Sequence, residues 1–368
     1  MIETLTIEGF RRFEQYRLEG IRRVNLLVGR NNCGKSTVLE AVRLLASSFD
    51  TDVLNDVCTR RGEVVTVPGE NGDRRLPVLA HLFHGHELVA GACFHIKSVN
   101  ERHELKVAML DAHGDEVVDQ SIRDRRAEFA QLVGQLPRLL AQVVVDKQEC
   151  PKRAVPVTQE GGFSPGLAGR SRAPLANVRL VTPEVLLPKA MGTMWDHVVT
   201  ASRKARVVKP LSDLVPGIDD LHFSLRHLAV DHRDLGGVEV HVAGEDKFLP
   251  LGNFGEGLYR LLALSLSIAA TDEDGTLLID EIDTGLHYSI MEDLWRLVIH
   301  QAVAHDIQVF ATTHSRDCLD GLARLCRNEP QHAANVSVQK LDRGLRKAVA
   351  LDASDVIIAA EQDIEVRG

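Results

Sequence analysis

The 368-residue chain is 44% hydrophobic and 26% charged, ordinary globular usage that excludes a disordered or fibrous protein. No apolar run approaches the roughly 18 residues of a membrane helix, and the opening MIETLTIEGFRRFE lacks the apolar core of a secretion signal, so neither membrane association nor export is expected. A net charge of −9 excludes polyanion binding by the chain as a whole and leaves only local basic patches.

Residues 1–9, with Leu5 and Ile7 on one face, read as a strand. Residues 24–28 are nearly all apolar, as a strand buried on both faces should be. They run into GRNNCGKST and then the helical pattern Val38, Leu39, Val42, Leu45. Residues 76–118 contain strand-like runs, including LVAGACFHI and HELKVAML. Residues 126–145 read as helix. Residues 149–174, rich in Gly, Pro, Ser and Arg, read as a loop. A short strand is expected at 176–181, two helices over 185–214, and paired strands at 222–232 and 238–243 with a turn at 234–237. Gly255-Glu256-Gly257 opens a long apolar helix, TLLID is a strand, and 286–303 is an amphipathic helix with Ile290, Leu294, Leu297 and Val298 on one side. A strand at 307–312, a helix at 319–326, two strands at 336–341 and 347–351 and a short helix close the chain. The six cysteines (Cys33, Cys58, Cys93, Cys150, Cys318, Cys326) form no C-x-x-C pair. They read as free thiols of a reducing, cytoplasmic compartment, not as a zinc or disulfide frame. No internal repeat or heptad pattern stands out. Short α/β alternation at both ends with a β-rich middle argues for an α/β core carrying antiparallel additions.

Four motifs carry chemistry. Gly29 to Ser36 fits G-x-x-x-x-G-K-[ST], between a buried strand and a helix. Its glycines let the backbone curl so that successive N–H groups face one anion, and the helix N-terminus adds positive potential. Lys35 then reaches the β- and γ-phosphates and the Ser36 hydroxyl ligates Mg²⁺. Next, an apolar strand ends in Asp280-Glu281, at the sheet edge where open α/β sheets bind ligands. Asp280 is expected to hold Mg²⁺ through water, and Glu281 to activate the attacking water as general base. A strand followed by an acidic turn is common, and the upstream phosphate loop decides for the functional reading. Third, Val309 to Thr313 end in His314-Ser315. This histidine can contact the γ-phosphate and the water, although a partly buried structural histidine is the commoner case. Fourth, glycines around Glu256 precede the long helix, whose N–H groups can meet a phosphate. The plain alternative is a helix start with Glu256 complementing the dipole.

In this order the motifs resemble the ABC-type ATPase heads of the RecF, SMC and OLD (overcoming lysogenization defect) group. Gly9-Phe10-Arg11-Arg12-Phe13 and NLLVGRNNCGKSTVLEAV are similar to that group's start. The likeness covers residues 1–50 and 250–320, while the middle matches only in layout. Asp280-Glu281-Ile-Asp283-Thr-Gly285-Leu-His287 and Gly-Glu-Gly look most like the OLD-related ATPases, found fused to a Toprim nuclease or beside one, often in phage defence. The resemblance implies an α/β P-loop NTPase of ABC-ATPase type: a mixed sheet core, an antiparallel β lobe and a short helical insert. It implies ATP and Mg²⁺ as cofactors and a phosphate loop of Gly29, Asn31, Asn32, Cys33, Gly34, Lys35, Ser36 and Thr37. It further implies a Walker B pair Asp280-Glu281, a D-loop with Asp283 and Gly285, a switch histidine His314, and Gly255, Glu256 and Gly257 as a signature acting on ATP of a second subunit. A homodimer or higher homo-oligomer follows. Three features depart from the group: Glu256 stands where the signature serine usually is, no Q-loop glutamine is evident in 50–100, and 315–368 is too short for a Toprim domain.

One composite domain is expected, with an N-terminal lobe 1–120, an insert region 121–225 holding the loop 149–174 and a helical arm 185–214, and a C-terminal lobe 226–368. Arg11, Arg12, Arg22 and Arg23, and Arg203, Lys204, Arg206 and Lys209 on the arm, could contact nucleic acid or a partner, or simply face solvent. The expected function is a Mg-dependent ATPase that controls a separate effector, a Toprim-like nuclease, in anti-phage defence. The alternatives are a RecF-like DNA-binding ATPase and an ATP-binding scaffold with weak hydrolysis. A transporter ATPase fits poorly.

Overall fold

The computed structural model describes residues 1–67, 73–98, 103–110, 138–150, 152–158, 161–163, 177–184, 186, 188–223 and 237–366. In chain order, β1 (Leu5–Phe10) and β2 (Phe13–Leu18) form a hairpin, and β3 (Val24–Val28) leads through the glycine-rich turn into α1 (Lys35–Ala46) and then α2 (Thr51–Arg60). A small hairpin, β4 (Val64–Val67) with β5 (Arg74–Pro77), precedes β6 (Cys93–Ser98) and β7 (His103–Leu110). Then come β8 (Arg138–Val145), β9 (Gln148–Glu149), β10 (Arg153–Pro156), β11 (Val178–Val181), α3 (Pro188–Thr200) and α4 (Ala205–Leu214). They are followed by β12 (Ile218–Phe223), β13 (Val238–Val242), β14 (Leu249–Pro250) and α5 (Gly255–Ala269). The last third runs β15 (Thr276–Ile279), α6 (Met291–Ala304), β16 (Gln308–Thr312), α7 (Arg316–Asn328), β17 (Val336–Lys340), β18 (Val349–Leu351) and α8 (Ala353–Glu361).

Two sheets organise these elements. One has the order β11-β15-β16-β3-β17-β18 and is parallel except for β18. The other is antiparallel, β10-β8-β7-β6-β1-β2, with β9 paired to β8. The parallel strands are buried on both faces, and their period of two splits the apolar residues between two cores. Val24, Leu26, Leu277, Ile279, Val309 and Ala311 join the core with α5, α6 and α7. Leu27, Leu278 and Phe310 point the other way, into a core with Val38, Val42 and Leu45 of α1 and the antiparallel lobe. Helix α1 therefore lies between the sheets, which fixes the glycine-rich turn at its N-terminus. Buried Gln308 ties the chain start to β16: its Oε1 accepts from the Ile2 amide at 2.8 Å and its Nε2 donates to Ile2 O at 2.7 Å.

Several expectations are corrected. Residues 138–145 of the expected helix 126–145 are strand β8, whose alternating burial suits a lobe strand; 126–137 lie outside the described residues. The expected loop 149–174 contains β10, paired with β8, and Gly162 bridges Val78; 164–176 lie outside the described residues, as do 224–236 of the expected strand pair and its turn. The helix expected from 286 begins at Met291, after a short 3₁₀ turn. The strand in LVAGACFHI starts only at Cys93. The expected arm 185–214 is described at 186 and from 188 on, and its helices α3 and α4 lie against α5, with Met191, Trp195, Val198, Val207 and Leu211 buried. All six cysteines are free. No helix among the described residues is long and apolar enough to cross a membrane.

Candidate nucleotide site

Three parallel strands end side by side. Register pairs Leu27 of β3 with Thr312 of β16, and Ala311 of β16 with Ile279 of β15. The turn after Val28, the Thr312-Thr313-His314 segment and Asp280-Glu281 therefore share one sheet edge, with β16 in the middle.

The turn needs its glycines. Gly34 has φ +112°, and a Cβ there would meet the Phe13 ring at 2.4 Å; Gly29 has φ +142°, and a Cβ would meet Leu341 O at 2.4 Å. Asn32 is also left-handed, with φ 58°, which asparagine tolerates better than most residues. Arg343, from the loop after β17, holds the outer rim: its guanidinium donates to Asn32 O and Asn31 O, each at 3.0 Å. Asn31, Asn32 and Ser36 are exposed, while Cys33, Gly34, Lys35 and Thr37 are buried.

Lys35 is only 5% exposed. Its Nζ donates to Gly29 O at 2.8 Å and Arg30 O at 3.1 Å, with Cys33 Sγ 4.0 Å away. The His314 Nδ1 lies 3.5 Å from Nζ. Burial lowers the Lys35 pKa, opposed by Cys33, Asp280 and Glu281. Burial and then the Lys35 charge lower the pKa of His314, against the pull of the same acids and Asp283. A neutral imidazole with its Nδ1 lone pair toward the ammonium fits both shifts.

The acids are oriented by two threonines. Thr312 Oγ1 donates to Asp280 Oδ1 at 2.6 Å and accepts from the Glu281 amide at 2.8 Å. Thr313 Oγ1 donates to Asp283 Oδ1 at 2.5 Å and accepts from Ser315 N at 2.9 Å. Glu281 has φ 49°, and its Oε2 accepts from Thr284 Oγ1 at 3.0 Å. A non-glycine residue in that region stores strain that surrounding bonds must hold.

Arg260 was not singled out in the sequence. It is a buried guanidinium within the apolar run of α5, donating to Glu281 O at 3.1 Å, to Asp280 O at 3.3 Å and to Thr182 O. The only signal was one arginine inside LYRLLALSLSIAA. Thr312 and Thr313 were likewise overlooked, although two hydroxyls ending an apolar strand were visible.

Gly255 and Glu256 are exposed, and a Cβ on Gly257 would come within 3.8 Å of Gly285 O. The expected signature thus sits beside the expected D-loop at the surface. Two of the four arginines of the first basic cluster are held in ion pairs. Arg11 is buried, with Nε 2.6 Å from Glu40 Oε2 and Nη1 2.6 Å from Glu63 Oε1, and Arg23 pairs with Asp306. On the arm, Arg203 pairs with Asp272 at 2.7 Å and Lys204 with Asp220 at 2.6 Å. Beside the turn, a cavity of about 350 Å³ is lined by Arg12, Asn32, Thr37, His86 and Arg343, among others.

A glycine-rich turn feeding α1, a middle strand carrying hydroxyls and a histidine, an acid-tipped third strand and an antiparallel lobe over α1 define the class: the fold is that of an ABC-type P-loop ATPase head. The comparisons agree at the level of ATPase domains. Residues 1–108 match the model of an AAA ATPase domain, and residues 195–319 match that of an AAA domain, putative AbiEii toxin, Type IV TA system. The chain is 23% identical over 345 residues, 89% of each protein, to an ATP/GTP phosphatase of Helicobacter pylori. It is 42% identical over 67 residues to an uncharacterized protein of Methanocaldococcus jannaschii, a stretch covering 17% of this chain and 31% of that one. Among solved structures, an SMC head bound to the C-terminal winged-helix domain of ScpA aligns with TM-score 0.46 and 14% identity over 95% of this chain and 98% of the other.

Proposed function

We propose that the chain is a Mg-dependent ATPase whose nucleotide state controls a separate effector. The observation that carries the reading is the convergence of Lys35, His314 and the threonine-held acids on one sheet edge. Lys35 is a buried cation whose hydrogen-bond partners are carbonyl oxygens and an imidazole; a triphosphate offers far stronger acceptors in the same place. The curled turn over 29–36 at the N-terminus of α1 suits the phosphates, and the neighbouring cavity suits the nucleoside. Ser36 and Asp280 present hard oxygen donors, the set Mg²⁺ prefers, and would hold the ion where it neutralises phosphate charge. Glu281 would take the proton of the attacking water, with Thr284 steadying its carboxylate. His314, held neutral, would hydrogen-bond near the γ-phosphate and report its presence to Lys35.

The start of α5, with Gly255 and Glu256 exposed and Gly257 beside Gly285, supports a second copy closing over the nucleotide in an OLD-type homo-oligomer. Glu256 would act there through backbone amides or water, since a bare carboxylate repels phosphate. The toxin wording of the model matched over 195–319 bears on a role in anti-phage defence, while a Toprim-like nuclease as effector rests on the resemblance to the OLD-related ATPases. Direct DNA binding draws less support, because Arg11, Arg23, Arg203 and Lys204 are already paired with acids.

The test is ATP turnover with Mg²⁺ by the wild type and by Glu281→Gln. Loss of a general base lowers turnover by about 10²–10⁴-fold with ATP still bound. Unchanged turnover would refute the hydrolytic assignment and leave the scaffold reading. Co-purification from the native operon, with ATP and with Glu281→Gln, tests the effector.

A further inference from the structure

Far from the nucleotide site, three side chains converge. His300 comes from the last turns of α6, Glu329 caps the C-terminus of α7, and His332 stands in the 3₁₀ turn that follows. His300 Nε2 lies 2.7 Å from Glu329 Oε2, and His332 Nε2 lies 3.6 Å from the same oxygen. The ligand atoms of all three lie within 4.8 Å of one another, and the two imidazole rings are 4.6 Å apart between centroids. The other Glu329 oxygen accepts from Arg296 Nε at 2.7 Å. Arg296 is itself compensated by Glu292 at 2.9 Å and by Asp293. One carboxylate oxygen is thus fixed from behind while the other faces two imidazole nitrogens.

A hydrogen bond accounts for the His300–Glu329 contact but not for the approach of His332. At 3.6 Å the His332 contact is too long for a hydrogen bond, and two imidazoles charging together would repel each other. We propose that His300, Glu329 and His332 form a site for a borderline divalent cation of the zinc type, with the remaining position open to water or to a ligand from another molecule. Two imidazole nitrogens and a monodentate carboxylate are the donors such an ion favours, and a carboxylate oriented by an outer partner is the usual support. With bonds of about 2.0–2.1 Å, tetrahedral ligand atoms stand about 3.3 Å apart. His332 is near that spacing already. His300 must draw back from Glu329 by a few tenths of an ångström, which its 43% exposed side chain allows. The ion would clamp α6 to the junction between α7 and β17. Helix α7 starts at its Ser315 cap, next to His314, and its 13 residues put the site about 20 Å along the helix from there. The site is therefore structural or regulatory and independent of the hydrolysis assignment.

The test is a Co²⁺ titration of the full chain with Mg²⁺ saturating, read by visible absorption. The expected result is one equivalent with a tetrahedral-type ligand-field spectrum, no thiolate charge-transfer band, and displacement by Zn²⁺. Zn²⁺ should also raise the melting temperature. Both effects should vanish in His300→Ala and in Glu329→Gln, and in His332→Gln, which keeps the side-chain volume should the first two variants fold poorly. Absence of the spectrum at large Co²⁺ excess, a thiolate band, or binding unchanged in folded His332→Gln overturns the proposal.

Discussion

The Thr312 hydroxyl sits 2.6 Å from Asp280 Oδ1 and 2.8 Å from the Glu281 amide nitrogen. One buried side chain on the middle strand thereby aims the Asp280 carboxylate and holds the backbone of Glu281, just past the end of the next strand. Thr312→Val keeps the shape, removes the donor and leaves the Glu281 amide without its acceptor. Turnover should fall by about 10–100-fold, the scale of losing an outer partner of a metal ligand. The stability loss should be about 1–3 kcal/mol. Steady-state kinetics and denaturant unfolding measure the two effects; wild-type turnover in the variant would remove Thr312 from the site.

Lys35→Ala deletes the buried ammonium that lies between the Gly29 and Arg30 carbonyls and His314. Triphosphate binding should weaken at least tenfold and turnover should be lost, as read by a fluorescent nucleotide and phosphate release. Retained turnover would dissolve the phosphate-loop assignment.

The lowered pKa of His314 has a definite sign in stability. The folded chain keeps the imidazole neutral through burial and the Lys35 charge. An unfolded histidine takes up its proton near pH 6.5. Below that value the unfolded state binds a proton that the folded state refuses, so stability declines as pH falls until the lower, folded pKa is passed. Wild type should therefore lose more melting temperature between about pH 7.5 and about pH 5.5 than His314→Asn does. Equal losses would mean that His314 is not held neutral.

Gly321 lies where α7 crosses α6. A Cβ there would stand 2.5 Å from Met291 Cβ and 2.9 Å from the Met291 carbonyl carbon. Gly321→Ala should cost about 1–3 kcal/mol through overpacking, despite the better helix propensity of alanine. Chemical denaturation checks it; a variant as stable as wild type would mean the helices part freely.

The terminal thirds were legible because their patterns are local. An apolar strand, a glycine-lysine turn and an amphipathic helix are each written within about a dozen residues, and so is an acid-tipped strand. Residues 138–145 read as helix because leucine, alanine and valine runs carry no decisive period, and pairing with β7 and β10 settled them as strand. Arg11 looked like part of a surface charge run until Glu40 and Glu63, distant in sequence, closed around it.

By itself the sequence determined the glycine-rich turn into α1, the acid-tipped strand and the histidine after β16, because each depends on neighbours along the chain. Only the tertiary structure decided that β16 lies between the other two strands, so that Thr312 and Thr313 aim the acids and Arg260 braces them from α5. It also decided that His300 meets Glu329 and His332 across two helices. Strand order and helix crossing are set by which apolar faces bury together, and that choice is made by the whole core rather than by any one segment.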